Sequence, residues 1–215
     1  MEQQKLEKKV NPYRLYLVTD DQQNIETLQR VVAEAVAGGV TMVQVREKQG
    51  DVRTFIERVL AVKAVLQGTG VPLIVNDRVD VALAVDADGV HLGQSDMPVE
   101  TARRLIGKNK LLGLSIENQQ QLIEAQSLPV DYLGLSAIFS TSTKTNIKKE
   151  WGIKGLTDAV AQSSLPIVAI GGINTANLDA VMASNVDGIA LVSAICHAQS
   201  PKQAAINLLC QMGRY

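Results

Sequence analysis

The sequence predicts a single-domain α/β protein, a (β/α)8 TIM barrel. Three observations carry that expectation. Eight short segments are rich in Val, Ile and Leu, longer stretches between them repeat apolar residues three and four positions apart, and 215 residues leave about 27 for each strand–helix unit. Near-continuous apolar strands joined by helices imply a parallel sheet covered on its outside, because each crossover lays a helix on the sheet. A doubly wound open sheet ranks second, since it usually has fewer strands and needs a switch-point crevice.

Taken in order, the first strand is expected at 14–19 (RLYLVT), followed by a helical stretch at 25–37. The second strand, 40–46, leads to a helix at 54–66, and the third and fourth, 71–76 and 89–92, come before a helix at 97–106, in a count of eight strands and about eight helical stretches. Strand 111–115 precedes helix 119–125, and strand 131–135 precedes a polar segment and then helix 156–160. Strand 166–170 with helix 176–183 and strand 188–193 with helix 202–212 complete the series. An internal echo runs through it: AGGVTMVQV, DADGVHLGQ, LPVDYLGLS and NVDGIALVS each place small or acidic residues just before an apolar strand. No linker or low-complexity tract divides the chain, so residues 13–215 read as the barrel and 1–12, of mixed charge, as a frayed extension.

Composition narrows the function. With 21 basic and 22 acidic side chains the formal net charge is −1, which leaves no electrostatic footprint for wrapping nucleic acid or an anionic membrane. Aromatic residues make up 3%, too few for base-stacking platforms. Small ligands remain, and the sequence sets no oligomeric state. The opening MEQQKLEKKVNPY has no apolar stretch resembling a secretory leader, and no apolar run is long enough to span a bilayer. Cys196 and Cys210 have no CxxC partners and read as core residues of a reduced, cytoplasmic protein.

In a parallel barrel the reactive residues gather at the carboxyl ends of the strands. Alternation puts Gln44 and Arg46 on one side of the second strand, with Lys48 near them, while Val43 and Val45 face the helices. Buried cations want a carboxylate or an anionic ligand, and Glu47 or a neighbouring loop is the structural alternative. Asp77 and Asp96 end consecutive strands and can converge on one hard cation, for which Mg²⁺ fits better than zinc because no Cys/His spacing matches a zinc site. Singly, each aspartate would read as a helix N-cap. Gly171-Gly172 after the seventh strand and Val192-Ser193 after the eighth match the phosphate cradle of such barrels. Residues 140–146, STSTKTN, form a hydroxyl-dense loop able to close over a ligand and add Lys144 to the positive set, with Trp151 anchoring it. His91 reads as a satisfied barrel-core histidine.

Two anion sites, one metal site and no convincing nucleophile or general base point to departure of a phosphorylated leaving group. The motifs QVREK, IVNDRVDVAL, DGVHLGQSD, TSTK, WGIKGL and VAIGGI appear in an order that resembles the thiamine-phosphate synthase (thiamine-phosphate pyrophosphorylase) family, from LYLVTD to LVSAI. The resemblance implies two small phosphorylated substrates. Gln44, Arg46, Lys48, Asn76, Ser115 and Lys144 would hold the pyrimidine diphosphate, with Arg46, Lys48, Lys144 and Ser115 catalytic. Asp77 and Asp96 would hold Mg²⁺, and Thr141, Thr143, Gly172, Val192 and Ser193 the thiazole phosphate. The chain departs from the family at Ser136-Ala137, where Gly-Pro or Gly-His is usual, at Ser140 in place of Pro, and at Glu117-Asn118 in place of His-Thr. Two other readings stay open: a thiazole tautomerase-like homologue, which tends to lack the metal positions present here, and a non-catalytic sensor of phosphorylated ligands.

Overall fold

Alternation along each strand decides the architecture, because both strand faces are apolar at most positions and each face needs a covering. In the computed structural model, which describes residues 11–140 and 150–213, the strands are β1 (Leu15–Val18), β2 (Met42–Val45), β3 (Leu73–Asn76), β4 (Gly89–Leu92), β5 (Leu111–Ile116), β6 (Tyr132–Ser136), β7 (Ile167–Ile170) and β8 (Gly188–Leu191). They pair in parallel in chain order and β8 returns to β1, closing the barrel. One face of each strand meets the helices: Leu15, Leu17, Val43, Val45, Leu73 and Val75 belong to the large outer core. The other face fills the barrel, where Tyr16, Val18, Met42, Ile74, Tyr132, Val168 and Ala190 form a separate inner cluster.

The helices are α1 (Ile25–Ala37), α2 (Val52–Leu66), α3 (Val79–Ala84), α4 (Val99–Ile106), α5 (Gln119–Ala125), α6 (Gly152–Gln162), α7 (Leu178–Met182), α8 (Ser193–Cys196) and α9 (Pro201–Met212). Asn24, Asp51, Asn118 and Ser200 start α1, α2, α5 and α9 by accepting a backbone N–H three residues on. The sequence expectation missed α3 and α8. They have six and four residues, too few for a helical stripe to show. The stretch 156–160 is only the middle of α6, which begins at Gly152. Cys196 is buried as expected, whereas Cys210 is exposed, correcting its reading as a core residue: in α9 the buried positions are Pro201, Ala205, Leu208 and Met212.

The echo before the even strands has a physical role at the base of the barrel. Thr41 Oγ1 accepts the Leu15 N–H at 3.0 Å, and Asp88, Asp131 and Asp187 accept the N–H groups of Leu73, Leu112 and Ile167 at 2.8, 2.7 and 2.8 Å. Each side chain ahead of an even strand thus satisfies an amide at or next to the start of the preceding odd one, a donor that burial would otherwise leave unpaired. Gly188 shows how tightly the base closes: a Cβ there would lie 1.7 Å from the Tyr13 carbonyl oxygen.

Candidate active site

At the carboxyl ends of the strands the barrel opens into a cavity of about 860 Å³. Its wall brings together the expected residues Gln44, Arg46, Lys48, Asn76, Asp77, Asp96, Ser115, Gly171, Gly172, Val192 and Ser193. The inward alternation that buries Met42 and Ile74 lower in the barrel carries Gln44 and Asn76, two positions on, up to the mouth. Thr141, Thr143 and Lys144 lie outside the described residues, as does most of the expected closing loop. At its far end Trp151 packs against the outer core and its backbone N–H donates to the Ala137 carbonyl at 2.9 Å.

The cations of the second strand find partners other than Glu47. Arg46 Nη1 lies 3.2 Å from Asp21 Oδ2 in the loop after β1, and the Lys48 ammonium donates to Asp77 Oδ2. Glu47 turns away to Arg58 of α2, with Nε and Oε2 3.2 Å apart and each side chain only 6% exposed. Arg58 also donates to the carbonyls of Gln23 and Asp20, so one buried guanidinium ties the loop after β1 to the loop after β2. Neither Asp21 nor Arg58 had a motif to mark it: Arg58 sits at a helical core position, where its only sequence signal is a charge on an apolar stripe.

The two aspartates meet, as expected from neighbouring strands, and neither is a helix cap. Residues Arg78 and Pro98 precede α3 and α4 without a side-chain capping bond. Asp77 has φ 62°, a left-handed conformation that Asp tolerates better than most residues but still at a cost. Asp96 accepts the Gly93 N–H at 2.6 Å. Its carboxyl is pushed above the ordinary range, first by burial and then by its hydrogen bond and charge contact with Asp77, against the pull of the Gly93 N–H and Lys48. Two carboxylates brought together in this way favour a proton or a cation between them, and the Lys48 ammonium already offsets part of that charge at Asp77. Among the described residues no third His, Cys, Asp or Glu completes a protein-only metal cluster.

Across the mouth, Gly171 and Gly172 have φ 103° and 67°. A Cβ on Gly172 would come within 2.5 Å of the Ser140 carbonyl oxygen, so this turn is shaped both by its backbone and by the segment after β6. Val192 precedes α8 and Ser193 begins it, and the first N–H groups of a helix have no intrahelical partner. Asn118, one of the departures from the family pattern, caps α5, while Gln121 of the same turn accepts the Glu117 N–H at 2.7 Å.

Below the mouth lies a polar chain that pattern reading did not find. Gln44 Nε2 donates to the Tyr16 hydroxyl at 2.7 Å, and Tyr16 and Tyr132 hydroxyls are 3.0 Å apart. His91 Nδ1 is 3.0 Å from the Tyr132 hydroxyl and its Nε2 3.0 Å from Ser115 Oγ. His91 is therefore a hydrogen-bonded barrel histidine, as expected. The tyrosines gave little warning, since in LYLV and YLGL they pass for apolar strand residues. Asn76 Nδ2 is buried at the rim with no hydrogen-bond partner among the described residues, a donor suited to a ligand oxygen.

Comparison with known proteins adds an independent line. The family model described as thiamine monophosphate synthase matches residues 15–195. The chain is 71% identical over 203 residues to the thiamine-phosphate synthase of Vibrio parahaemolyticus, covering 94% of this chain and 100% of that protein. It is 51% identical over 197 residues to that of Chloroflexus aurantiacus, covering 91% of each. Among solved structures, thiamine phosphate pyrophosphorylase from Pyrococcus furiosus superposes with a TM-score of 0.85 at 36% identity, over 95% of this chain and 97% of that one. The (S)-3-O-geranylgeranylglyceryl phosphate synthase of Thermoplasma acidophilum, at 14% identity, 94% coverage of each chain and a TM-score of 0.70, shares the fold.

Proposed function

The chain belongs to the thiamine monophosphate synthase family, and we propose that it joins 4-amino-2-methyl-5-(diphosphooxymethyl)pyrimidine to 4-methyl-5-(2-phosphoethyl)thiazole, giving thiamine phosphate and diphosphate. The observation that carries the reading is the meeting of Asp77 and Asp96 beside Lys48, in the same cavity wall as Arg46 and Ser115 and the Gly171-Gly172 turn. The thiazole tautomerase-like alternative is disfavoured by that same pair. The reaction takes place in a cytoplasmic, soluble enzyme on this reading; among the described residues no helix is long and apolar enough to cross a membrane.

Mg²⁺ fits the donor set. Two carboxylates in contact offer hard oxygens and an excess of negative charge, and a small hard cation takes its other ligands from water and phosphate. When bound, the ion would neutralise charge building on the departing diphosphate. Arg46, Lys48 and Lys144 add fixed positive charge around the same group, and Asn76 Nδ2 and the Ser115 hydroxyl supply neutral donors. Gln44, at the mouth above Met42, helps hold the pyrimidine diphosphate. Loss of diphosphate leaves a pyrimidine methyl cation, which the thiazole nitrogen attacks, so no protein nucleophile is needed. Gly171, Gly172, Val192 and Ser193, with Thr141 and Thr143, hold the thiazole phosphate so that its nitrogen faces that carbon, and orientation supplies much of the rate.

The test is the purified protein with both phosphorylated precursors, with and without Mg²⁺, followed for thiamine phosphate and diphosphate together. Equimolar products that vanish with chelator and return with Mg²⁺ are expected. Absence of product, or product indifferent to chelator, overturns the reading.

A further inference from the structure

We propose that the buried chain Gln44–Tyr16–Tyr132–His91–Ser115 is a hydrogen-bond relay of fixed polarity, which locks His91 in its Nε2–H tautomer and thereby makes Ser115 a donor to the anionic ligand in the mouth. Tyr16, Tyr132 and His91 are thus positioning residues, acting through Ser115. The assignment of the ligand rests on the function proposed above; the polarity of the relay does not.

The polarity follows from counting protons. A neutral phenol has one proton to give. Burial raises the pKa of both Tyr16 and Tyr132 far above the ordinary tyrosine range, so each keeps that proton. The Tyr16 hydroxyl accepts from Gln44 Nε2 and so has its own proton for Tyr132, 3.0 Å away. Tyr132 then has its proton for His91 Nδ1, and a neutral imidazole accepting at Nδ1 carries its hydrogen on Nε2, facing Ser115 Oγ. Ser115 accepts that bond, and its own hydroxyl proton is left for the cavity it lines. The reverse polarity turns the Gln44 amide over and points a serine lone pair, instead of a proton, at a phosphate oxygen. The ligand charge and the Gln44 orientation select the same state.

The barrel makes room for this chain with two glycines. A Cβ on Gly113 would lie 2.3 Å from Tyr132 Cζ and 2.4 Å from His91 Nδ1, and one on Gly134 would lie 3.0 Å from His91 Cε1. Two inward positions of β5 and β6 therefore carry no side chain, and the Tyr132 and His91 rings fill that space, tilted 37° to one another at a centroid distance of 5.4 Å.

The chain has two histidines, so ¹⁵N-histidine labelling resolves the question, with His91 assigned by difference from His197→Gln. In the intact protein near pH 8, His91 should show a pyrrole-type Nε2 and a pyridine-type Nδ1, with and without inorganic diphosphate. Tyr132→Phe keeps the ring and removes one link. Its His91 should lose the single tautomer, and its kcat should fall about 10- to 100-fold, the loss expected for one charge-assisted hydrogen bond, while KM for the thiazole phosphate holds. Tyr16→Phe, one link further away, tests the same signal if Tyr132→Phe does not fold. An Nδ1–H tautomer in the intact protein, or a tautomer unmoved in both variants, overturns the relay. If the protein makes no thiamine phosphate, the proposed function fails while the tautomer measurement still decides the relay.

Discussion

Replacing Arg58 by Met tests whether the loops at the mouth are held from below. Arg58 is 5% exposed, and its guanidinium faces Glu47 at 3.2 Å while donating to the carbonyls of Gln23 and Asp20. Met fills much of the side-chain volume, so the dominant loss is electrostatic. Stranding one member of a buried ion pair costs about 3–5 kcal/mol. Glu47 keeps two backbone donors, the N–H groups of Gln49 and Gly50 at 2.9 and 3.1 Å, which puts the expected loss near the lower end. About 3 kcal/mol corresponds to a fall in Tm of about 6–12 °C for a domain of this size. The companion Arg58→Met/Glu47→Gln keeps an acceptor for those N–H groups and removes the stranded charge, so it should regain about 2 kcal/mol of the loss. Urea unfolding followed by circular dichroism at pH 7 measures both. A single variant within about 1 kcal/mol of the parent, or a double variant no more stable than the single, refutes the argument that Glu47 depends on Arg58.

Asp77→Asn and Asp96→Asn should each lower turnover at least about 100-fold by weakening the Mg²⁺ site, and Asp77→Asn should fold normally because Asn also tolerates the left-handed backbone found there; equal losses of activity and stability would return both residues to a structural role. Gly172→Ala should raise KM for the thiazole phosphate more than that for the pyrimidine diphosphate, since φ 67° and the Ser140 carbonyl both resist the new methyl group; unchanged steady-state constants would contradict a cradle there. Burial pushes the Cys196 thiol up from 9.0 to about 12, and the Tyr13 hydroxyl from 10.0 to about 12, the latter helped by the charges of Asp131 and Asp187. The unfolded chain therefore loses these protons first, so their contribution to stability is complete below pH 9 and should drain away as pH climbs toward 12, read as a falling urea midpoint. By the same shift, iodoacetamide at pH 8.5 should label exposed Cys210 and reach Cys196 only after denaturation.

What could be read before the structure depended on how local its cause was. Strand alternation is local, so Gln44 and Arg46 could be set on the face opposite Val43 and Val45, and Asn76 at the mouth because it ends its strand. The convergence of Asp77 and Asp96 needed one further premise, that consecutive strands are neighbours, and the closed order of strands supplies it. Partner choice was not readable. Glu47 stands between Arg46 and Lys48 in sequence, yet alternation turns it to the opposite face, where Arg58 of α2 waits. The relay tyrosines were hidden for a related reason: strand propensity and hydrophobicity are the same for a tyrosine packed in an apolar core and one whose hydroxyl meets another hydroxyl at 3.0 Å across the barrel. Helices α3 and α8 lacked the two full turns that make a stripe visible.

The four clasps at the base of the barrel imply a modular construction. Each joins an odd strand to the element that introduces the next even one, across sequence separations of 26, 15, 19 and 20 residues. Every clasp thus closes inside one stretch of about two strand–helix units, and none spans the joint between one such stretch and the next. The chain is in this sense four quarter-barrels in series. Cutting it ahead of β3, β5 or β7 and linking its old ends would leave all four clasps covalently whole, whereas a cut ahead of β2, β4, β6 or β8 would make one clasp a contact between opposite ends of the new chain. Tolerance to circular permutation should alternate around the ring accordingly.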